Sequence, residues 1–441
     1  MEMMYQYLWR TGALGRDFDL TDGSRIHVAN PGRQNFDAGP DFADARVAMG
    51  GTVWAGNVEI HVRASDWFLH RHHTDRAYDS VILHVVADAD TQVCRADGSP
   101  IPTLEFPVPV EASSLYARLT AGKTDIKCAA TLDRIPSLLR EDWLESLAVE
   151  RMQAKARRVL DENANLAGDW EQTCFVMLAR SLGFGLNGTP FEMLARSLPL
   201  RFLLRHSDNL FQLEAMMFGQ AGLLDPSQRI FDEYYQLLCR EYFFLCRKYS
   251  LRPMQASVWK FARTHPQNFP HRRIALLAKA VEGGFSLAGD VLGNAGGCDG
   301  LRKLFDWQPE GFWANHYSFD SVEPRPVGAM GQASVDSLII NFAVPVMYAY
   351  ASLSGNMRLA EDAMAILEEL PPEKNRYVRN WQTLGLKADN ALRSQALVQL
   401  HKEYCDAARC LDCRFANRMI STVAREAAAS YGRVDPEAVF D

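Results

Sequence analysis

The stretch that decides how this chain folds is Gly39–Val86, GPDFADARVAMGGTVWAGNVEIHVRASDWFLHRHHTDRAYDSVILHVV. Val58, Ile60 and Val62 alternate with Glu59, His61 and Arg63, which is the period-two pattern of a half-buried strand. Val81 to Val86 is a continuous apolar run broken only by His84, as expected of a central strand. Gly50-Gly51 marks a turn ahead of the first of these strands. Working outward, Asp22-Gly23, Pro31-Gly32 and Asp97-Gly98 mark further turns, and Met3 to Arg10 suits one short helix. Ile101 to Val110 carries Pro102, Pro107 and Pro109, so it is at best an edge strand.

The texture changes near residue 110, and after residue 135 it is helical. Long helices are expected over Glu141–Leu160, Glu171–Leu182, Gln228–Tyr249, Ile274–Val281, Val335–Ser352, Leu359–Leu370 and Asp389–Ala408. The hexapeptide MLARSL occurs at Met177 and again at Met193, too little to define a repeat architecture. The expected class is α+β. A mixed α/β domain occupies residues 1–125, and a large all-helical region with a C-terminal cysteine cluster occupies 126–441.

The 441 residues are 48% hydrophobic and 23% charged, which excludes a disordered, collagenous or coiled-coil chain. The net charge is -7, against a protein that coats nucleic acid through a uniformly basic surface. Residues 1–110 hold 9 Lys+Arg against 15 Asp+Glu, so nearly all the excess acid lies in the first quarter. Such a balance suits a carboxylate-rich metal site better than a phosphate-gripping surface. Nine irregularly spaced cysteines do not make a secreted disulfide framework. No signal peptide is visible, and the apolar stretch Leu338–Leu353, with Asn341 and Pro345 inside it, reads as a buried helix rather than a membrane span. A reducing cytoplasm is the expected location.

Five of the eleven histidines fall between His61 and His84. On a strand, Glu59 and His61 share one face, about 7 Å apart at roughly 3.3 Å per residue. A carboxylate and an imidazole so placed can hold one cation, and Asp41 from a neighbouring element can complete the site. His70 and His72 also face one way if their segment is extended, as metal ligands or as donors to a phosphate; Tyr78 joins them as a substrate-binding candidate. The bland alternative is a structural polar network, with His84 a satisfied core histidine and His73 a surface residue.

Pro40-Asp41 followed by Glu59-x-His61 resembles the PD-(D/E)XK nuclease superfamily, with His61 where that pattern has lysine. The resemblance implies a restriction-endonuclease-like domain in which Asp41 and Glu59 hold Mg²⁺ or Mn²⁺ and His61 orients or deprotonates the attacking water. Histidine in place of lysine also admits a ligand role that favours Mn²⁺ or Zn²⁺. Glu2, on the opening helix, stands where some members carry an additional acid.

Near the other end, Cys405-x4-Cys410-x2-Cys413 follows His401. Three thiols so close together point to a structural metal, with His401 one turn earlier, or the distant Cys128, as fourth ligand. Zinc, an iron–sulfur cluster of the kind some nucleases of that superfamily hold, and unliganded thiols are the three readings. Arg151, Lys155 and Arg158 share a helix face, either solvated or available to nucleic acid. Pro266–Arg273 reads as a rigid helix entry or as a loop presenting Asn268 and Arg273 to an anion. Gly328-Ala-Met-Gly331 is a weak candidate for phosphate-binding N–H groups.

Over nearly its full length the chain is similar to a bacterial domain-of-unknown-function family. The shared residues are Tyr7-Leu8-Trp9, NPGRQNFDAGPDF from Asn30, GNVEIHVRASDW from Gly56, His70, His72, Asp75, Tyr78 and LHVV from Leu83. They continue with Ile126-Lys127-Cys128, FGQAGLL from Phe218, NFP from Asn268, INFAVP from Ile340, SQALVQL from Ser394 and the three cysteines. That family carries no established activity. The leading expectation is therefore a metal-dependent phosphodiesterase acting on nucleic acid. The alternatives are a non-catalytic scaffold that keeps a nuclease-like fold, and a small-molecule metallohydrolase.

Overall fold

The computed structural model describes residues 1–441 except 123, 226–231, 263, 294–295 and 431–441. The chain forms two compact units, one made of Met1–Trp143 with the segment from Leu400 onward, the other of Leu144–Gln399. The expected boundary at 125 thus falls inside the first unit, and the C-terminal segment returns to that unit instead of ending the helical one. The return is held by the helix Val110–Ala121 packing on the helix Arg414–Ser430, and by the Tyr7 hydroxyl lying 2.9 Å from Ser421 Oγ.

The first unit opens with helix α1 (Glu2–Thr11), closed by Gly12 in the left-handed conformation. Strands follow in the order β1 (Asp17–Asp19), β2 (Arg25–Asn30), β3 (Arg33–Gln34), β4 (Phe42–Met49) and β5 (Thr52–Arg63). A short helix α2 (Asp66–Leu69) then leads to β6 (Val81–Asp88) and β7 (Thr103–Glu105). The sheet order is β1-β2-β4-β5-β6-β7, with β3 also paired to β4. Pairing is antiparallel as far as β5, while β6 runs parallel to both β5 and β7. The Gly50-Gly51 turn between β4 and β5 has positive φ at both residues, as a tight hairpin requires. Gly56 has another reason to be glycine: a Cβ there would sit 2.4 Å from Ile82 Cγ2, so it lets β5 and β6 approach.

Two expectations change in detail. Val58, Glu59, Ile60 and His61 are all buried, so this part of β5 is covered on both faces rather than half-buried. The cause is the segment 66–78, which folds back over Glu59 and His61. The proline-bearing run after Ile101 contributes only β7, on the edge. A small apolar core of Ala64, Trp67, Val81, Val86, Val93 and Ile101 lies beneath that segment.

The second unit is mostly helical around one large apolar core; the all-helical expectation is corrected by a small antiparallel hairpin, His316–Ser318 with Ser321–Val322. Ser137–Asn165 buries Leu144, Ala148, Met152, Ala156 and Val159, a stripe at helical spacing. Helices Trp170–Leu182 and Gly188–Ser197, which carry the two MLARSL copies, pack on each other. The expected helix from Gln228 is described as Glu233–Tyr249, and residues 228–231 lie outside the described residues. The expected helix over Val335–Ser352 is longer, Gln332–Ser354, with a π turn at Ile339–Ala343. By length and composition it could cross a bilayer, and 61% of its apolar window is buried inside the protein.

Candidate metal centre

Asp41 stands just before β4 and Glu59 lies on β5, and the two are clamped through the main chain. The Asp41 N–H donates to Glu59 Oε2 at 3.0 Å, and the Ile60 N–H donates to Asp41 Oδ2 at 2.9 Å. From α1, the Gln6 amide donates to Asp41 Oδ1 at 2.9 Å and to Glu2 Oε1 at 3.5 Å. Three carboxylates therefore gather at one end of the site. Burial and the neighbouring Glu59 push the Asp41 carboxyl up to about 7, and burial with Glu59 also raises that of Glu2.

The other oxygen of Glu59 faces imidazoles. Glu59 Oε1 lies 3.5 Å from His61 Nε2 and 3.4 Å from His72 Nε2. His61 Nε2 is 3.2 Å from His70 Nδ1. Ligand nitrogens of His61, His70 and His72 all lie within 4.8 Å of one another. A tetrahedral cation with bonds of about 2.0–2.1 Å sets its ligand atoms about 3.3–3.4 Å apart, so these three contacts have the spacing of a ligand set.

His70 and His72 do not converge because their segment is extended. His70 ends α2, His72 begins a 3₁₀ turn, and Arg71 between them has φ 64. That left-handed residue reverses the chain and turns both imidazoles inward, at a conformational cost on the order of 1 kcal/mol. The segment is tied down by its own caps. Asp66 accepts the Arg63 N–H, Asp90 accepts the Ser65 N–H, and Asp75 accepts the Ala77 N–H.

Behind the cluster, His61 Nδ1 lies 2.8 Å from His84 Nε2, while the buried Nδ1 of His84 has no hydrogen-bond partner. Burial pushes both rings down to about 3, so they are neutral and able to ligate. Trp67, fully buried with its indole N–H on Cys94 O, meets His61, His72 and His84. Tyr78 stacks on His72 with ring centroids 3.7 Å apart, and burial with Glu59 raises its phenol to about 12. His70 is exposed, so the cluster opens to solvent on that side.

Asp41, Glu59, His61, His70, His72 and Tyr78 are thus brought together, with Glu2 beside them. Gln6, Trp67 and the supporting role of His84 were not singled out from the sequence. Gln6 carried a readable signal, one helical turn after Glu2 on the same face.

The remaining candidates lie elsewhere. Arg273 is buried in the second unit, its guanidinium donating to Asn268 Oδ1 at 2.6 Å and lying over the Phe184 ring. Burial and the adjacent Arg272 push it down to about 9. The Pro266–Arg273 loop therefore consumes its own Asn268 rather than presenting it. Gly328 offers a carbonyl to Arg272, not N–H groups to an anion. Arg151 donates to Gln395 and Gln399, and Lys155 to Ile340 O and Asn341, while Arg158 is exposed. So that face is largely engaged within its own unit. The C-terminal cysteines and Cys128 belong to the first unit and are described below.

Fold and cluster together define an α+β protein with a mixed sheet, a mostly helical remainder, and a histidine–carboxylate centre on the sheet. Residues 2–376 match a family described as Protein of unknown function (DUF2851), and the chain belongs to it. No curated protein and no solved structure matches the chain. The family match includes the histidine–carboxylate centre and ends before Cys405.

Proposed function

We propose that the first unit holds a divalent transition-metal ion through His61 Nε2, His70 Nδ1, His72 Nε2 and Glu59 Oε1, and that the protein is a metal-dependent hydrolase of phosphodiesters. The observation that carries this is the convergence of four donor atoms from β5 and the segment after it. Three imidazoles suit Zn²⁺ or Mn²⁺ and do not fit Mg²⁺, which prefers oxygen. Asp41 and Glu59 Oε2 each accept N–H donors that fix their orientation, so they support the site beside the imidazoles. The ion would supply activation of water and polarisation of the scissile group.

The chain's own residues do the rest. His61, ligating through Nε2, keeps its proton on Nδ1 and donates it to His84 Nε2, which fixes the ring. The Asp41–Gln6 clamp orients Glu59. Glu2, half-buried at the same end, is placed to accept a proton from the attacking water. The phosphodiester assignment is supported by the resemblance of Pro40-Asp41 and Glu59-x-His61 to the PD-(D/E)XK pattern. One observation favours small-molecule hydrolysis as a second reading: residues 1–110 contain no lysine and an excess of acid, which grips a polyanion poorly.

The test is cleavage of labelled single- and double-stranded DNA and RNA with Zn²⁺ or Mn²⁺, beside Glu59→Ala and His72→Ala with folding checked by circular dichroism. Cleavage that falls by on the order of 10²-fold or more in both folded variants is the expected result. A stoichiometric ion without cleavage of any nucleic acid would move the substrate to a small molecule. Cleavage unchanged in both variants would remove the site.

A further inference from the structure

The first unit contains a second ligand cluster. Three of its members are in one turn-rich stretch. Cys405 closes a π turn, Leu400–Cys405, and the chain then turns back, with Ala408 at φ 53. Cys410 and Cys413 are linked by a tight turn, the Cys413 N–H donating to Cys410 O at 3.3 Å. Cys413 immediately precedes helix Arg414–Ser430, and the N–H groups of Phe415 and Ala416 point at its sulfur. A sulfur at that position is a preferred place for negative charge.

The fourth member arrives from the far side of the helical unit in sequence. Cys128 precedes the 3₁₀ turn Ala129–Arg134, whose Thr131 hydroxyl reaches Met419 Sδ at 3.0 Å on that same C-terminal helix. Cys128, Cys410 and Cys413 are buried, and no disulfide joins any of the four. Each thiol in the group is raised by burial first. Neighbouring thiols add to this: Cys410 and Cys413 act on Cys128, and Cys128, Cys413 and Cys410 act on Cys405. His401, the other candidate for fourth ligand, is turned to Asp406, 3.4 Å from its Nε2.

We infer that Cys128, Cys405, Cys410 and Cys413 hold an iron–sulfur cluster. Three buried thiols and the half-buried Cys405, gathered by the Cys405–Cys413 turns and by the Cys128 segment packing on the helix that follows them, with N–H groups aimed at one sulfur, are what a thiolate-bound metal group needs. Two observations favour a cluster over a single zinc ion. Bonds of about 2.3 Å would set zinc-bound sulfurs about 3.8 Å apart. Among the described residues, the set of three or more ligand atoms within 4.8 Å of one another is the histidine trio, not these sulfurs. A cluster several atoms across holds its thiolates farther apart than one ion does. The Cys-x4-Cys-x2-Cys run with one distant cysteine is also a spacing used for iron–sulfur ligation.

The experiment is anaerobic purification of the full chain with iron, zinc and acid-labile sulfide assays, visible absorption, and electron paramagnetic resonance after dithionite. It is run on the wild type and on His72→Ala, which removes the ion of the histidine site from the zinc count. Iron and sulfide in equal amounts, two or four per chain, with a visible charge-transfer band, are expected. Both should be lost in Cys128→Ser and kept in His401→Gln. One zinc per chain in His72→Ala that disappears in its Cys128→Ser derivative would overturn the inference, as would the absence of both metals. A cluster that survives Cys128→Ser but not His401→Gln would overturn the ligand assignment.

Discussion

Glu59, His61, His70 and His72 come from one strand and the loop that follows it, whereas Cys128 and Cys413 are separated by the whole helical unit. The first cluster closes a short loop and is scaffolded by β5, β6 and Trp67. The second closes a very long loop, so its formation waits for the chain to return, and its metal group would tie that return down. The difference teaches where each group acts. On the proposed reading, a local centre open to solvent at His70 would serve turnover, and its loss would leave the sheet intact. A metal group on the cysteines, joining distant segments, would serve stability.

The comparison can be broken by mutation, beginning where the effect is largest. Trp67→Ala removes the fully buried ring that backs His61, His72 and His84, and denaturant unfolding should show a loss of about 3–5 kcal/mol. Cys413→Ala should cost about 3 kcal/mol or more by the same measurement, because a metal that ligates only the folded chain contributes folding free energy. Compared with the wild type after the histidine-site ion has been removed from both by a chelator, His72→Ala should change stability by only about 1 kcal/mol, although it abolishes ion binding. If His72→Ala proved the more destabilising of the last two, the division of roles would be reversed.

A control from the other unit sharpens the point. Glu214 is a buried acid with no imidazole among the groups that shift it. Burial pushes it up to about 7, Glu282 adds to this, and Tyr234 and Lys279 oppose it. Its folded value lies above its unfolded one, so the fold favours the protonated form. The stabilisation is present below about pH 4.5, declines as pH rises toward 7, and is gone above that. Glu214→Gln, which keeps the acceptor for Tyr234, should therefore raise stability by about 3 kcal/mol at pH 8 and hardly at all at pH 4. Added Zn²⁺ or Mn²⁺ should leave that difference unchanged. The smallest effect is expected from Arg71→Gly, which relieves the left-handed strain and should alter stability by no more than about 1 kcal/mol with the ion retained. Loss of the ion there would mean that the arginine itself, and not only the turn, builds the site.

Much of this was legible in the sequence. The period-two run at Val58–Val62 places Glu59 and His61 on one strand face, and the strand formed. The apolar run with His84 gave an interior strand. The helical texture after residue 135 is present, because amphipathic spacing there is long and regular. What stayed hidden depends on tertiary closure. No local pattern shows that the segment 66–78 folds over Glu59 and buries it, or that Arg71 adopts positive φ. Nor does spacing show that Asp41's oxygens are spent on Gln6 and Ile60. Arg273 reads as a loop cation yet is buried, since a helix entry and a ligand loop share the same prolines. The return of the C-terminal helix to the first unit has no signature other than the cysteines that precede it.

The most direct test of the histidine centre is metal analysis with X-ray absorption on the purified full chain, compared with a His70→Ala/His72→Ala double variant. About one Zn²⁺ or Mn²⁺ per chain, with nitrogen and oxygen ligands at roughly 2.0–2.2 Å and absent from the folded double variant, is the predicted result. A chain without such an ion, or one that keeps it unchanged when both histidines are gone, would contradict the account.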